Sequence, residues 1–565
     1  MIENKFTMVE LFSGIGAQER ALRQLGLPYE IKHTCDCDKE TVLSYAAMRY
    51  DLEKEIEVFD FPSKETMVEE LQAKNLGYDF EKGKHTITMK TNIDKVKQYY
   101  IADKLTKNLG DIGKVERLPY ADMVTYSFPC TDLSVAGKGE GMVNKCECGH
   151  TWDIDFSDAN NDTCRACGKR VQKSTRSGLL GQVQRLISVA QEENTLPKYL
   201  LMENVKNLIG KKFKPQFDSW VAWLDSVGYN TYYQVLNAKY YGIPQNRERI
   251  FAISIRKDVD TKGFIFPETI PLTTRLKDVL EKNINEKYYL PDERIEKILS
   301  STFAQEKKRI QTTDVYDVCE PQVVIGSMQA NSYIGDGTIS PSLTAAMGMG
   351  GGQIPMVGYI KPIIYDDYNS RISADQDAIN TLTCNCGASA ERNGVKIIEP
   401  VIVDAIYNNR PARIYDQAAP TLRSERFGLE VIEPKDLPCS TRGSQIASTI
   451  RASIYKQGAR NLEQNVINGL GYEGVIEQGD PQIKWRIRKL TPKETWRLMG
   501  FTDQDADKSA QFVSASAQYK QAGNSICTSC LIALFSSLLI KDGHRADVWS
   551  KYLIHYFDKK FKKVP

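Results

Sequence analysis

Cys130, Glu203 and the pair Arg247 and Arg249 are the side chains whose types and placement suit covalent chemistry. Cys130 closes Ser127-Phe128-Pro129-Cys130 directly after the apolar run Met123 to Tyr126. That puts a thiol at the C-terminal end of a strand, where open α/β sheets place their sites, and a thiolate there is a nucleophile for an electrophilic carbon. Taken alone, one cysteine reads equally as a small buried hydrophobe. Glu203 ends the apolar run Tyr199 to Met202, so a buried carboxyl there would keep its proton, or it would cap the helix that follows. Arg247 and Arg249 alternate at the entry to the run Ile250 to Ile255 and therefore face one side of a sheet. There they can hold a thiolate, a carbonyl oxygen or a phosphate, with Gln245 ordering the network, or they are surface charges.

A second set suits a cofactor. Val9 to Gly16 is an apolar strand that runs into a Gly14-x-Gly16 turn and then a helix, which lets backbone approach a ligand closely. Asp36 lies about 20 residues further on, the spacing at which an acidic side chain accepts from ribose hydroxyls. These two features fit an adenosine-containing cofactor, and they leave NAD and S-adenosylmethionine open. A third set binds metal: Cys146 and Cys148 with Cys164 and Cys167 supply four thiolates on glycine-bearing turns, enough for one structural zinc. His150 is an alternative to Cys148, and a metal-free thiol cluster is the other reading. Cys384 and Cys386 have no partner pair and are assigned no metal.

The motifs and their order resemble the DNA (cytosine-5) methyltransferase family. Phe12-Ser13-Gly14-Ile15-Gly16 resembles its first motif, Gly110-Asp111-Ile112 its third, and Ser127 to Cys130, Glu203-Asn204-Val205 and Gln245 to Arg249 the catalytic ones. Arg488 to Glu494 resembles the ninth motif, with a structural role expected, and Gln518 to Ser525 the last. The resemblance implies S-adenosylmethionine as cofactor. Phe12, Gly14, Ile15, Gly16, Asp36, Asp111, Ile112, Leu179, Asn524 and Ser525 would contact it, with Asp111 meeting the adenine amino group. For Asp111 the alternative is an ordinary helix cap, and for Asn524 an ordinary turn residue. Cys37 departs from the aromatic often found at its position to stack on adenine, and Thr131 departs from the usual Gln.

Carbon 5 of cytosine is too poor a nucleophile to attack a sulfonium methyl group directly. The implied route therefore adds Cys130 to carbon 6, with Glu203 assisting at N3, on a cytosine flipped out of duplex DNA. The loop through Thr131, Asp132, Leu133, Ser134, Gly137, Lys138 and Gly139 has small residues suited to closing over DNA. A transfer-RNA cytosine methyltransferase uses the same parts and is the near alternative. A non-catalytic DNA-binding regulator on this scaffold is the more distant one.

These residues need a scaffold, and the pattern of the chain supplies one. Residues 1–256 alternate strands, at Met8 to Phe12, Met123 to Tyr126, Tyr199 to Met202 and Ile250 to Ile255, with helical periodicity such as Ala17, Ala21, Leu22 and Leu25 stopped by Gly26. The expected fold is an α/β, Rossmann-like methyltransferase domain with a largely parallel sheet. Residues 51–105 are expected to be a solvated helical insert, and 141–172 a zinc-ribbon insert that anchors the Cys130 loop and touches DNA phosphate through Lys169, Arg170 or Lys173. Residues 257–485 turn strand-rich and are expected to form the target recognition domain that reads the major groove. Within them Ile339 to Leu343, Ala378 to Leu382, Ala418 to Leu422 and Ile446 to Ile450 form a degenerate repeat, the first three starting about 40 residues apart, read as similar hairpins of one irregular domain rather than tandem independent recognition modules. Helical periodicity resumes in 486–565, expected to rejoin the first domain.

Composition limits the rest. In 565 residues, 41% are hydrophobic, enough for more than one core. No apolar run of about 18 residues and no export signal stands in the sequence, so a cytoplasmic protein is expected. Thirteen cysteines in tight clusters fit reduced thiols and a metal better than disulfides. Lys plus Arg (74) balance Asp plus Glu (72), so a DNA groove must be locally basic. Duplex DNA is the expected partner, the chain is expected to be a monomer, and a restriction endonuclease of the same specificity is an admissible companion.

Overall fold

Six strands form the central sheet of this computed structural model, in the order Tyr229–Asn237, Glu248–Arg256, Tyr199–Val205, Met123–Tyr126, Phe6–Leu11, Tyr29–Cys35. The four strands from Tyr199–Val205 to Tyr29–Cys35 are mutually parallel. Glu248–Arg256 runs antiparallel to both neighbours, so Arg249 lies beside Val205 and Phe251 beside Glu203. Described are residues 5–130, 133, 142–158, 163–169, 173–174, 176–282, 284–289, 291, 323–325, 334–335, 339–345, 347, 354–360, 363–366, 371–373, 395–398 and 485–553. The sheet matches the expected α/β class; Phe6–Leu11 starts before Met8 and stops short of Phe12, Tyr199–Val205 runs past Met202, Glu248–Arg256 extends beyond both expected ends, and Met123–Tyr126 is as expected.

Apolar residues on both faces of the central strands require cover on both sides. On one face Ala17–Leu25 presents Ala17, Ala21, Leu22 and Leu25, and ends at Gly26 in the left-handed conformation. It packs with the Thr528–Leu539 helix, whose residues Thr528 to Ser536 are all buried. On the other face Leu180–Glu192 and Lys214–Ser226 bury Val183, Leu186, Ile187, Phe217 and Trp220. Among the described residues no single helix is long and apolar enough to cross a membrane.

The region 51–105 differs from the solvated excursion expected of it. Its helices Leu52–Val58, Lys64–Ala73 and Ile93–Leu105 enclose a third core of Met67, Val68, Leu71, Leu76, Ile87, Val96 and Tyr99 to Ala102. Val42, Leu43 and Ala46 close that core from one side, and Phe512 and Val513 from the C-terminal segment. Apolar residues at helical spacing are present but interleaved with Lys and Glu, which hides the buried face in the composition.

Packing continues past position 257. Leu276, Val279, Leu343, Met347, Ile354 and Val357 join the same core as Ala17–Leu25. Ser340–Pro341 pairs parallel with Gln245–Asn246, and Met356–Ile360 pairs antiparallel with Trp485–Lys489. Short strands Val323–Ile325, Ile363–Asp366, Arg371–Ser373 and Val395–Ile398 are also formed. Of the repeat, Ile339 to Leu343 is described, while Ala378 to Leu382, Ala418 to Leu422 and Ile446 to Ile450 lie outside the described residues.

Arg488 to Glu494 shows why a charged motif sits inside. Glu494 receives both Arg488 Nη atoms at 2.8 Å, the Thr491 amide at 2.7 Å and the Glu281 amide at 2.8 Å, with both charged side chains at most 1% exposed. Removing one partner strands the other charge in the interior, which costs about 3–5 kcal/mol. Glu494→Ala is expected to destabilise the folded chain by that amount in urea unfolding. The paired exchange Arg488→Met with Glu494→Met is expected to recover most of it.

Candidate active site

The nucleophile loop is held from the neighbouring strand. Asn204 donates through Nδ2 to the Phe128 carbonyl at 3.0 Å, and the Phe128 ring is buried. One turn further, the Leu133 amide donates to the Cys130 carbonyl at 3.0 Å, and Asn207 donates to the Leu133 carbonyl at 2.6 Å. Cys130 itself stays partly accessible. Asn204 and Asn207 were not singled out from sequence as loop anchors; an amide just past a strand end, able to both donate and accept, was the available signal.

Glu203 is buried beside this loop and pairs with Arg249 at 3.3 Å. Burial pushes its carboxyl above the usual range, while Arg249, Arg247 and the Ser127 hydroxyl pull it back. Burial also raises the Cys130 thiol, and the charge of Glu203 raises it further, against the two arginines. The site thus brings Cys130, Glu203 and both arginines within electrostatic reach of one another. Burial works against the charged form of both groups, and the two arginines work for it.

The arginines divide their work. Arg249 faces Glu203, as its alternation with position 247 allows. Arg247 is 3% exposed, and its guanidinium donates to the carbonyls of Leu343 at 2.8 Å, Gly523 at 3.0 Å and Ser525 at 2.7 Å. Burial, then the neighbouring Arg249, lower its pKa to about 9. The expectation of a free hand for target phosphate is corrected for Arg247, because its Nη donors are taken by backbone. Gln245 orders the network as expected, donating to the Leu498 carbonyl at 2.6 Å and accepting from the Leu343 amide at 3.2 Å.

At the end of Phe6–Leu11 the chain turns through left-handed Phe12 (φ 53°), Gly14 (54°) and Gly16 (76°). A Cβ on Gly16 would fall 2.4 Å from the Tyr45 ring, so only glycine fits between that ring and the turn. Tyr45 was missed in the sequence; its hydroxyl donates to buried Glu10 at 2.6 Å, and burial raises Glu10 to about 7. Asp36 accepts from the Gly14 amide at 3.0 Å and the Asp38 amide at 2.9 Å, and burial raises it to about 6. Its two oxygens retain lone pairs for ribose hydroxyls.

The other expected cofactor residues lie in different environments. Ile15 and Ile112 are buried, Leu179 is half-buried and Asn524 is exposed, while Ser525 is buried and gives its carbonyl to Arg247. Asp111 does cap the Ile112–Lys114 turn, accepting from the Gly113 amide at 2.9 Å, and its second oxygen accepts from Asn75 at 2.8 Å. The Ala515–Asn524 helix lies over residues 38–44 as a cover. Lys520 pairs with Asp38 at 2.7 Å, and Gln521 bonds the Glu40 carbonyl at 3.0 Å and the Ser44 hydroxyl at 3.1 Å. A glycine turn, a ribose-type acceptor and a C-terminal cover together fit S-adenosylmethionine.

The cysteine insert forms a three-stranded antiparallel sheet of Thr151–Asp153, Val143–Lys145 and Lys173–Ser174. The sulfurs of Cys146, Cys148, Cys164 and Cys167 lie within 4.8 Å of one another, with Cys146 to Cys167 at 3.4 Å and Cys148 to Cys164 at 3.6 Å. His150 sits outside this set, 3.5 Å from the Cys164 sulfur and stacked on Trp152. Lys169 is exposed; Arg170 and the Lys173 side chain lie outside the described residues, as do Cys384 and Cys386.

A family model for C-5 cytosine-specific DNA methylase matches residues 71–153 and 155–539. The chain belongs to that family. A type II methyltransferase of Lactococcus lactis subsp. cremoris is 36% identical over 51% of this chain and 70% of its own length. An orphan methyltransferase of Bacillus phage SPbeta is 26% identical over 95% of this chain and 98% of its own length, and one of Spiroplasma monobiae is 30% identical over 71% and 98%. This methylase therefore transfers methyl groups to cytosine carbon 5 in DNA, which decides against transfer RNA and against a non-catalytic regulator. The family match spans Cys130, Glu203, Arg247, Arg249 and Asn524; the Phe12 to Gly16 turn and Asp36 lie before it.

The electrostatics of the methylase site have a measurable sign. Glu203→Gln removes the carboxylate whose charge raises Cys130, so the pH midpoint for alkylation of Cys130 by iodoacetamide is expected to fall. Arg249→Gln is expected to move it upward. Mass spectrometry of the Cys130 peptide across pH 6 to 10 reads both.

Proposed function

We propose that Cys130 adds as a thiolate to carbon 6 of a cytosine flipped out of a specific duplex sequence. The new S–C6 bond sends the ring electrons toward N3, where Glu203 supplies a proton or hydrogen bond as charge develops. The observation that carries this reading is the buried Glu203, paired with Arg249 and coupled to Cys130. Arg249 orients Glu203 and stabilises the thiolate, whereas Arg247 holds the surrounding backbone in place. When bound, S-adenosylmethionine supplies an electrophilic methyl group. Phe12, Gly14, Ile15, Gly16, Asp36, Asp111, Ile112, Leu179, Asn524 and Ser525 would hold it beside the nucleophile. Carbon 5, made electron-rich by the addition, would accept that methyl with S-adenosylhomocysteine as the leaving group, and a water or other base would then take the carbon 5 proton so that Cys130 departs as a thiolate and the aromatic ring is restored.

In this reading 1–256 and 486–565 make one catalytic domain and 257–485 carry target recognition. The four cysteines take one zinc: tetrahedral thiolates about 2.3 Å from the metal stand about 3.8 Å apart, near the observed spacings. The ribbon they hold is tied to the catalytic core, since Gln216 brackets the amide and carbonyl of Met142 at 3.3 and 2.8 Å. Ser219 and Gln184 likewise hold the Phe156 backbone at 3.2 and 2.8 Å. The protein acts as a cytoplasmic monomer in a bacterial or phage-infected cell. Relatives aligned over nearly their whole length are named both orphan and putative type II methyltransferases, so a companion endonuclease acting on the same site remains an admissible partner.

The test is transfer of labelled methyl from S-adenosylmethionine into duplex DNA, with bisulfite sequencing to give the site. Cys130→Ala is expected to abolish transfer and to prevent covalent trapping on a duplex carrying 5-fluorocytosine, where carbon 5 has no proton to lose. A Cys130→Ala protein as active as its parent overturns the mechanism. Metal analysis is expected to find one zinc per chain, lost when the four cysteines become serine, with the Met142 to Phe156 region then opening to proteolysis. A folded, active parent without zinc overturns the metal assignment.

A further inference from the structure

The helical region 51–105 reaches the cofactor side of the sheet at Lys74 to Gly77. We propose that this stretch is part of the cofactor site, with Asn75 as the positioning residue that holds Asp111 toward the adenine amino group. The proposal rests on the reading of Asp111 as the adenine acceptor.

Three contacts place the stretch there. Asn75 follows the Lys64–Ala73 helix in the left-handed conformation (φ 55°), which asparagine tolerates better than most residues. Its Nδ2 donates to Asp111 Oδ2 at 2.8 Å, while the Asp111 amide donates to the Lys74 carbonyl at 2.9 Å. The insertion is seated hard against this peptide, since a Cβ on Gly110 would fall 2.4 Å from the Lys74 oxygen. Asp111 Oδ1 is already held by the Gly113 amide, so with Asn75 on Oδ2 the carboxylate plane is fixed from both sides. Each oxygen keeps a lone pair, and the ligand group that complements a fixed acceptor is an N–H donor.

The neighbouring residues serve the ribose side in the same way. Lys74 Nζ donates to Asp103 at 2.6 Å and to the Asn108 carbonyl at 2.8 Å. The Asn108 side chain in turn accepts from the Asp36 amide and donates to the Asp36 carbonyl, both at 3.0 Å. Gly77 donates to the Cys37 carbonyl at 2.8 Å. Cys37 brings no ring to stack on adenine, and backbone fixed by the insertion takes over the task of defining that end of the pocket. A purely structural insertion would need the apolar core already described, but not an amide aimed at Asp111.

The experiment compares binding of S-adenosylhomocysteine and S-inosylhomocysteine, in which an oxo group replaces the adenine amino group, to the full-length chain. Asn75→Gly removes the amide and keeps the left-handed backbone accessible. It is expected to weaken S-adenosylhomocysteine about five- to tenfold and to leave S-inosylhomocysteine unchanged. Asp111→Ala is expected to abolish the preference for the adenosyl compound. If Asp111→Ala loses the preference while Asn75→Gly binds both compounds as the parent does, the role of the insertion fails and the Asp111 reading stands. Equal weakening of both compounds by Asn75→Gly makes the residue merely structural and also overturns the proposal. An unchanged preference in Asp111→Ala removes the adenine reading itself.

Discussion

The buried guanidinium of Arg247 is the interaction on which the catalytic centre depends. A charge with 3% exposure has to be met by oriented dipoles, and three carbonyls meet it, one from Leu343 and two from Gly523 and Ser525. Those carbonyls come from two parts of the chain, around 343 and 523–525, each far from position 247 and from the other. The same group that shapes the field at Cys130 therefore fixes where the C-terminal segment sits, and Gln245 repeats the arrangement toward Leu343 and Leu498. Gly523 leaves no slack in this joint: a Cβ there would fall 2.1 Å from the Thr344 backbone.

With the backbone fixed in this way, protonation at the centre is set by the balance of burial against two positive charges. Burial raises both Cys130 and Glu203, and the two arginines oppose it at both. Arg249, paired to Glu203 and felt by Cys130, opposes it more than Arg247 does.

Much of this was legible in the sequence because the informative signals are local. Ala17, Ala21, Leu22 and Leu25 before Gly26 specify a helix by spacing alone, and Met123 to Tyr126 specifies a strand by its apolar run. The four cysteines likewise announce their cluster through two short-range turns. What was illegible depends on contacts across the chain. Nothing near Arg247 indicates that its partners lie at 343, 523 and 525, and nothing near Met67 or Val96 indicates that Phe512 and Val513 complete their core. Asn75 gave even less, since an asparagine after a helix is ordinarily just a turn residue.

The helix laid over residues 38–44 has a consequence for the order of events in folding. The Ala515–Asn524 helix bonds residues 38–44, and the Thr528–Leu539 helix packs on Ala17–Leu25, so these elements find their partners only after several hundred further residues have been made. Closing so long a loop is slow relative to local helix and hairpin formation. Until then the apolar face of the Ala17–Leu25 helix stays open on the growing chain, a holding period in which that face is available to chaperones and to aggregation.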